Sequence, residues 1–181
     1  MLAAVALVVA LPSALVVLRR YDPLVLGDSS LCCHSFESDS AGGTVTVIRT
    51  GEPDDRFYMS ISLGNDGNWP VHIESIGQPE TSALANVVGD PEIRLIDDRD
   101  VGTGEPSTPF APFTLASGQH RFVQLRADAS VCPSVQMIKG SSGGVDTLTV
   151  RWSAYGVHHI SHLQLPETLS FLPADTCFGT G

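Results

Sequence analysis

The side chains best suited to chemistry lie near the C-terminus, where His158, His159 and His162 fall close together. Imidazole is a common ligand for copper and zinc. In an extended strand at about 3.3 Å per residue, His158 and His162 point the same way but stand about 13 Å apart, too far to share one ion. His159 points to the opposite face. A metal centre would therefore need His72, His120, Met59 or a cysteine brought in by the fold. The favoured expectation is a polar, solvated strand face with no cofactor. The alternative is a copper or zinc site built on His158, His162 and His72.

The acidic runs Glu52-Pro53-Asp54-Asp55 and Asp97-Asp98-Arg99-Asp100 lack the alternating oxygen ligands and central glycine of an EF-hand loop, and read as solubilising surface. Catalysis by a serine nucleophile needs an activating base and a strained turn that presents the hydroxyl. Ser142, in Ser141-Ser142-Gly143-Gly144, has neither. Phosphate-binding and dinucleotide-binding fingerprints are absent too. The sequence predicts no enzyme.

Four cysteines allow three pairings. None has CxxC or zinc-finger spacing, so an oxidising compartment is expected. A Cys132–Cys177 bridge would fasten the C-terminal tail to the body. Cys32 and Cys33 would then form an adjacent-residue disulfide or remain thiols.

These residues need a scaffold, and the pattern supplies strands. Phe57, Met59, Ile61 and Leu63 alternate with Tyr58, Ser60 and Ser62. After the turn-rich Gly64–Pro70 loop, Val71 and Ile73 alternate with His72 and Glu74. Thr44–Arg49 predicts an earlier strand and Glu92–Ile96 a weak edge strand. Phe113–Ala127 reads as two strands around a Ser117-Gly118 turn, with Val123 and Leu125 inward. Gln78–Asp90 predicts a short helical turn. In the C-terminal region Leu148, Val150, Trp152 and Ala154 alternate with polar residues, Gly156 permits a turn, and Val157–Leu165 returns. Leu169 and Phe171 predict a final short segment. Short strands at regular spacing with turn signals between them predict an antiparallel β-sandwich.

Leu2 to Leu18 is uncharged and almost wholly apolar, ending at Arg19-Arg20. As a helix it would reach about 25 Å, against a bilayer core of about 30 Å. It is expected to be one anchoring transmembrane helix. A cleaved signal peptide with Leu2–Leu11 as its apolar region is the rival. The ten basic residues include Arg19 and Arg20, so from Tyr21 onward 20 acidic residues face eight basic ones and the net charge is −12. Such a body repels nucleic acid and anionic headgroups. The basic pair after the helix would by itself keep the body in the cytoplasm. The cysteines favour the opposite side. The expected location is the cell membrane, single-pass, with the β domain extracytoplasmic. The expected layout is an anchor at 1–20, a juxtamembrane linker at 21–42 and a sandwich at 43–181.

Phe57–Ile76 resembles the "strand, Asn-x-Gly, Pro-Val-x-Ile" segment of bacterial immunoglobulin-like domains. Phe113–Leu125 is similar to their "Thr-Leu-x-x-Gly, strand" segment. The resemblance covers about Thr44 to Cys177. Nine arginines against the single Lys139 suit the GC-rich actinobacteria, where membrane-anchored proteins of this kind are familiar. It implies an immunoglobulin-like architecture and no particular activity. The metal alternative is compared with periplasmic copper chaperones, small β-sandwiches that bind copper through His and Met. Their paired His-x-Met spacing is missing here. The functional expectation is therefore a binding or structural module in the cell envelope, an accessory to a membrane or cell-envelope protein. Its expected contact surface is the loop with Asn68, Trp69 and Pro70, together with the proline-rich Thr103–Pro112 loop.

Overall fold

In a computed structural model of the chain, the described residues are 16–32, 36–39, 45–50, 56–77, 92–98, 100–101, 107–128, 132, 143–173 and 175–178. The segment 1–15, the turn expected at Gln78–Asp90 and residues 103–106 of the proline-rich loop lie outside them. Among the described residues no helix is long and apolar enough to cross a membrane; residues 16–19 form one short helical turn.

Among the described residues eleven strands make two sheets. One sheet has the order β1-β4-β9-β6-β7, formed by β1 (Leu24–Cys32), β4 (Arg56–Asn65), β9 (His120–Asp128), β6 (Glu92–Ile96) and β7 (Ser107–Pro109). The other runs β2-β3-β11-β10-β5-β8, formed by β2 (Phe36–Asp39), β3 (Val45–Thr50), β11 (Val157–Pro173), β10 (Gly143–Ala154), β5 (Val71–Gly77) and β8 (Phe113–Leu115).

The period-two reading of β4 places Phe57, Met59, Ile61 and Leu63 in the core, each at most 1% exposed. They meet Ile73, Val150, Trp152 and Phe171 of the other sheet, with Phe57 and Phe171 edge to face at 6.0 Å. A residue pattern that alternates in both sheets buries one face of each, which is how a sandwich makes its core. Met59, named above as a possible metal ligand, is one of these core side chains.

Several expectations are corrected. The stretch read as a linker supplies β1, which pairs antiparallel with β4 from Leu24↔Asn65 to Cys32↔Tyr58, and β2, which pairs with β3. A bulge between Leu26 and Ser29 shifts its register, which is why no alternation was legible there. The two strands flanking Gly64–Pro70 are not a hairpin. β4 lies in one sheet and β5 in the other, so the loop arches across the sandwich. The Ser117-Gly118 turn does the same between β8 and β9. Glu92–Ile96 is flanked by β9 and β7 and is not an edge, because Ser107–Pro109 of the proline-rich loop pairs outside it. Ser60 and Ser62, polar members of the β4 alternation, are buried as well, as is Gln124 beside them.

β10 and β11 form the long hairpin expected from the C-terminal alternation, Ala154 opposite Val157. β11 continues without a break through Leu169 and Phe171. After a register shift between Val145 and Thr147 its last part pairs in parallel with β3, whereas the other strand pairings among the described residues are antiparallel. Beyond it, the short 3-10 helix Asp175–Phe178 carries Cys177, which is disulfide-bonded to Cys132 with Cα atoms 5.3 Å apart. Cys33 lies outside the described residues.

Candidate functional site

Asn65, the last residue of β4, is fully buried and ties one end of the sandwich together. Its Nδ2 donates to the carbonyls of Trp69 (2.9 Å) and Leu115 (3.0 Å), and its Oδ1 accepts from Gly67 N (3.0 Å). The last is an Asx turn, the arrangement that Asn favours at loop starts. Its backbone N–H reaches Gln119 O and its carbonyl accepts from Gly118 N. One side chain thus fixes both the Gly64–Pro70 arch and the Ser117-Gly118 arch.

The fixed loop carries Trp69 against Tyr21. The Tyr21 hydroxyl accepts from Trp69 N at 3.1 Å and donates to Trp69 O at 3.4 Å, with the rings 4.9 Å apart. Gly67 is required here by close approach: a Cβ on it would collide with the Tyr21 hydroxyl and Pro23. On its other side Trp69 meets Tyr155 edge to face at 5.8 Å. Trp69 is half-buried, while Asn68 and Pro70 are exposed. The indole therefore covers the end of the core and also forms part of a surface.

Tyr155 is the unusual member. It is 68% exposed and has φ 49°, with Gly156 following at φ 79°. Two consecutive positive φ values are the requirement of a two-residue type I′ hairpin turn, where Asn-Gly is the common pair. A bulky aromatic in the left-handed region costs on the order of 1 kcal/mol. Here that cost presents a ring to solvent beside Trp69.

Beneath these rings lies a polar chain. Trp152 Nε1 donates to Ser161 Oγ at 2.8 Å, and Ser161 Oγ donates to Asp22 Oδ1 at 2.6 Å. This satisfies the one polar atom of a wholly buried indole. His159 stacks on Trp152 with centroids 4.1 Å apart and planes 9° from parallel. Its Nε2 is shielded from solvent and has no hydrogen-bond partner among the described residues. Burial chiefly holds its pKa below the usual imidazole value, with the Asp22 carboxylate pulling the other way. The unfolded chain then takes up a proton that the folded chain refuses. Stability is expected to fall as the pH drops below about 6.5, the ordinary imidazole value, with no effect of this group above it. Denaturant midpoints measured across that range should flatten in His159→Phe, which keeps the stack and removes the proton.

The histidines of the metal alternative lie on the opposite, outer face of the six-stranded sheet. His72 and His158 flank Ser153 in register, and His158 Nδ1 lies 2.9 Å from Glu74 Oε1. The hydrogen bond from Ser153, then the neighbouring His158 and His72, hold the Glu74 carboxyl below its ordinary value. His162 is four residues further along β11, paired with Thr149 and hydrogen-bonded to it at 3.1 Å. His120 stacks edge to face on Phe122 in the other sheet. Among the described residues no three His, Cys, Asp or Glu side chains gather closely enough to hold an ion. His72, His158 and His162 make a polar sheet face.

No family model matches the chain, and no curated protein does. Its similarities are to solved structures. The ASH/PapD-like domain 7 of human CEP192 is 12% identical over 84% of this chain and 85% of that one, with a TM-score of 0.40. The apo PmoF2 PCuAC domain is 10% identical over 80% and 92%, at 0.35. The CooA pilin subunit of enterotoxigenic Escherichia coli is 9% identical over 84% and 99%, at 0.34. Likenesses this distant assign no family and no activity.

Sequence reasoning named Trp69, Asn68 and Pro70 as a contact surface but did not join Tyr21, Asn65 or Tyr155 to Trp69. The signals were present: Asn65-Asp66-Gly67 is an Asx-turn sequence, and Tyr155-Gly156 sits where a hairpin wants Asn-Gly.

Proposed function

We propose that the chain is a non-catalytic, membrane-tethered β module that works outside the cytoplasm and makes contact through its aromatic end. The observation that carries this is Tyr155, an exposed ring held at φ 49° against Trp69. Backbone strain retained at an exposed position points to use of that position. The surrounding hydrogen bonds of Asn65 and Tyr21 hold the rings in place beforehand, so contact orders few side chains. Residues of this kind, Trp and Tyr, dominate binding surfaces because they offer large area with little conformational freedom to lose.

The tether is supported by Leu2–Leu18, and the compartment by the Cys132–Cys177 disulfide, which suits an oxidising space. Protease added to intact spheroplasts should remove the body; a body fully protected until the membrane is broken would overturn the sidedness.

A further inference from the structure

We propose that the aromatic end is seated on the lipid bilayer itself, with the Tyr155, Trp69 and Tyr21 rings at the level of the headgroups. This rests on the reading of a tethered module and names the partner of its contact surface.

Exposed apolar side chains are concentrated at this end. The large exposed hydrophobics among the described residues are Val16, Val17, Val25, Tyr155 and Ile160. Val16 and Val17 lie in the helical turn that leads into Tyr21. Val25 pairs with Gly64, next to Asn65, and Tyr155 is the hairpin tip. Ile160 alone lies away, on the outer face of the six-stranded sheet.

Chain length then limits where this end can be. Leu18 closes the apolar stretch, and three residues at no more than about 3.6 Å each keep Tyr21 within about 11 Å of it. The headgroup layer on each side of a bilayer is roughly 5–8 Å thick, half the difference between the full and hydrocarbon thicknesses. Once Leu2–Leu18 is in the hydrocarbon, Tyr21 has no route far from the interface, and Trp69 and Tyr155 are packed in series on it.

The chemistry of the end suits that layer. Trp and Tyr have an apolar body and a polar tip, and they gather at membrane–water boundaries. Arg19 and Arg20, both exposed, sit at the seam where lipid phosphates would lie. They match Asp22 and Asp66 in number, so this end does not share the acid excess that would repel a membrane from the body as a whole.

The test uses the full chain reconstituted into phosphatidylcholine vesicles, either unlabelled or brominated high on the acyl chains. The chain has two tryptophans, and Trp152 is wholly buried. Wild type should lose roughly half its emission in brominated vesicles, as one indole of two lies at the boundary. Trp69→Phe, which keeps a ring against Tyr21 and Tyr155, should lose little. Carbonate washing of the same vesicles reports the tether separately. A chain that stays in the vesicles while its Trp69 emission ignores bromine overturns the lipid contact and leaves the tether standing, which points to a protein on this surface. A chain washed off the vesicles overturns both.

Discussion

Removing the Cys132–Cys177 disulfide is expected to lower stability by about 4 kcal/mol. The bridge closes a loop with a sequence separation of 45, and in the chain-entropy account the cross-link lowers the entropy of the unfolded chain by an amount that grows with the logarithm of that loop. Its position adds a second reason. It holds the short helix after β11 to the segment leaving β9, two strands of different sheets, so it fastens the sandwich shut at its C-terminus. The double variant Cys132→Ala/Cys177→Ala is the appropriate comparison, because a single change would leave a thiol able to pair elsewhere. Urea denaturation should show the midpoint shift with an altered slope, since the unfolded state also expands. An unchanged midpoint would show that the bridge contributes nothing.

Asn65→Ala is expected to cost about 3 kcal/mol, close to the disulfide although no covalent bond is lost. Three hydrogen bonds disappear, each with a net value near 1 kcal/mol, and the carbonyls of Trp69 and Leu115 each lose a donor, the latter in a buried site. Asn65→Asp tests the mechanism more finely. A carboxylate still accepts from Gly67 N but cannot donate to two carbonyls, and it would be buried there as a charge. It should be at least as damaging as alanine. If Asp restored stability, the donor bonds would not be what holds the arches.

The strand content was readable because it depends on local alternation. Phe57–Leu63 and Leu148–Ala154 fill the core as their period requires. What failed was non-local. A Gly/Asn/Asp/Pro loop looks alike whether its strands pair with each other or part into opposite sheets, so the sequence did not show that these two turns are arches. β1 escaped notice because Gly27-Asp28-Ser29-Ser30 runs through a bulge, where alternation is lost. The site was legible to the extent of one loop. Trp69 stood out by type, but its neighbours Tyr21 and Tyr155 come from positions far apart in the chain. Only the closed sandwich brings the start of β1 and the tip of the last hairpin to one end. The faces of the histidines were legible from strand pitch alone, which sends His159 one way and His158 and His162 the other.

The aromatic end should be covered in the membrane-bound state. Hydroxyl-radical labelling of the whole protein, in native membranes and again after solubilisation in detergent and delipidation, measures this residue by residue. Tyr155 should be oxidised several-fold more slowly in membranes than after release. His158, on the outer sheet face with a 74% exposed side chain, should be oxidised equally in both and serves as the internal standard. Equal oxidation of Tyr155 in the two states would contradict the account, because its exposed, strained ring would then touch nothing where the protein works.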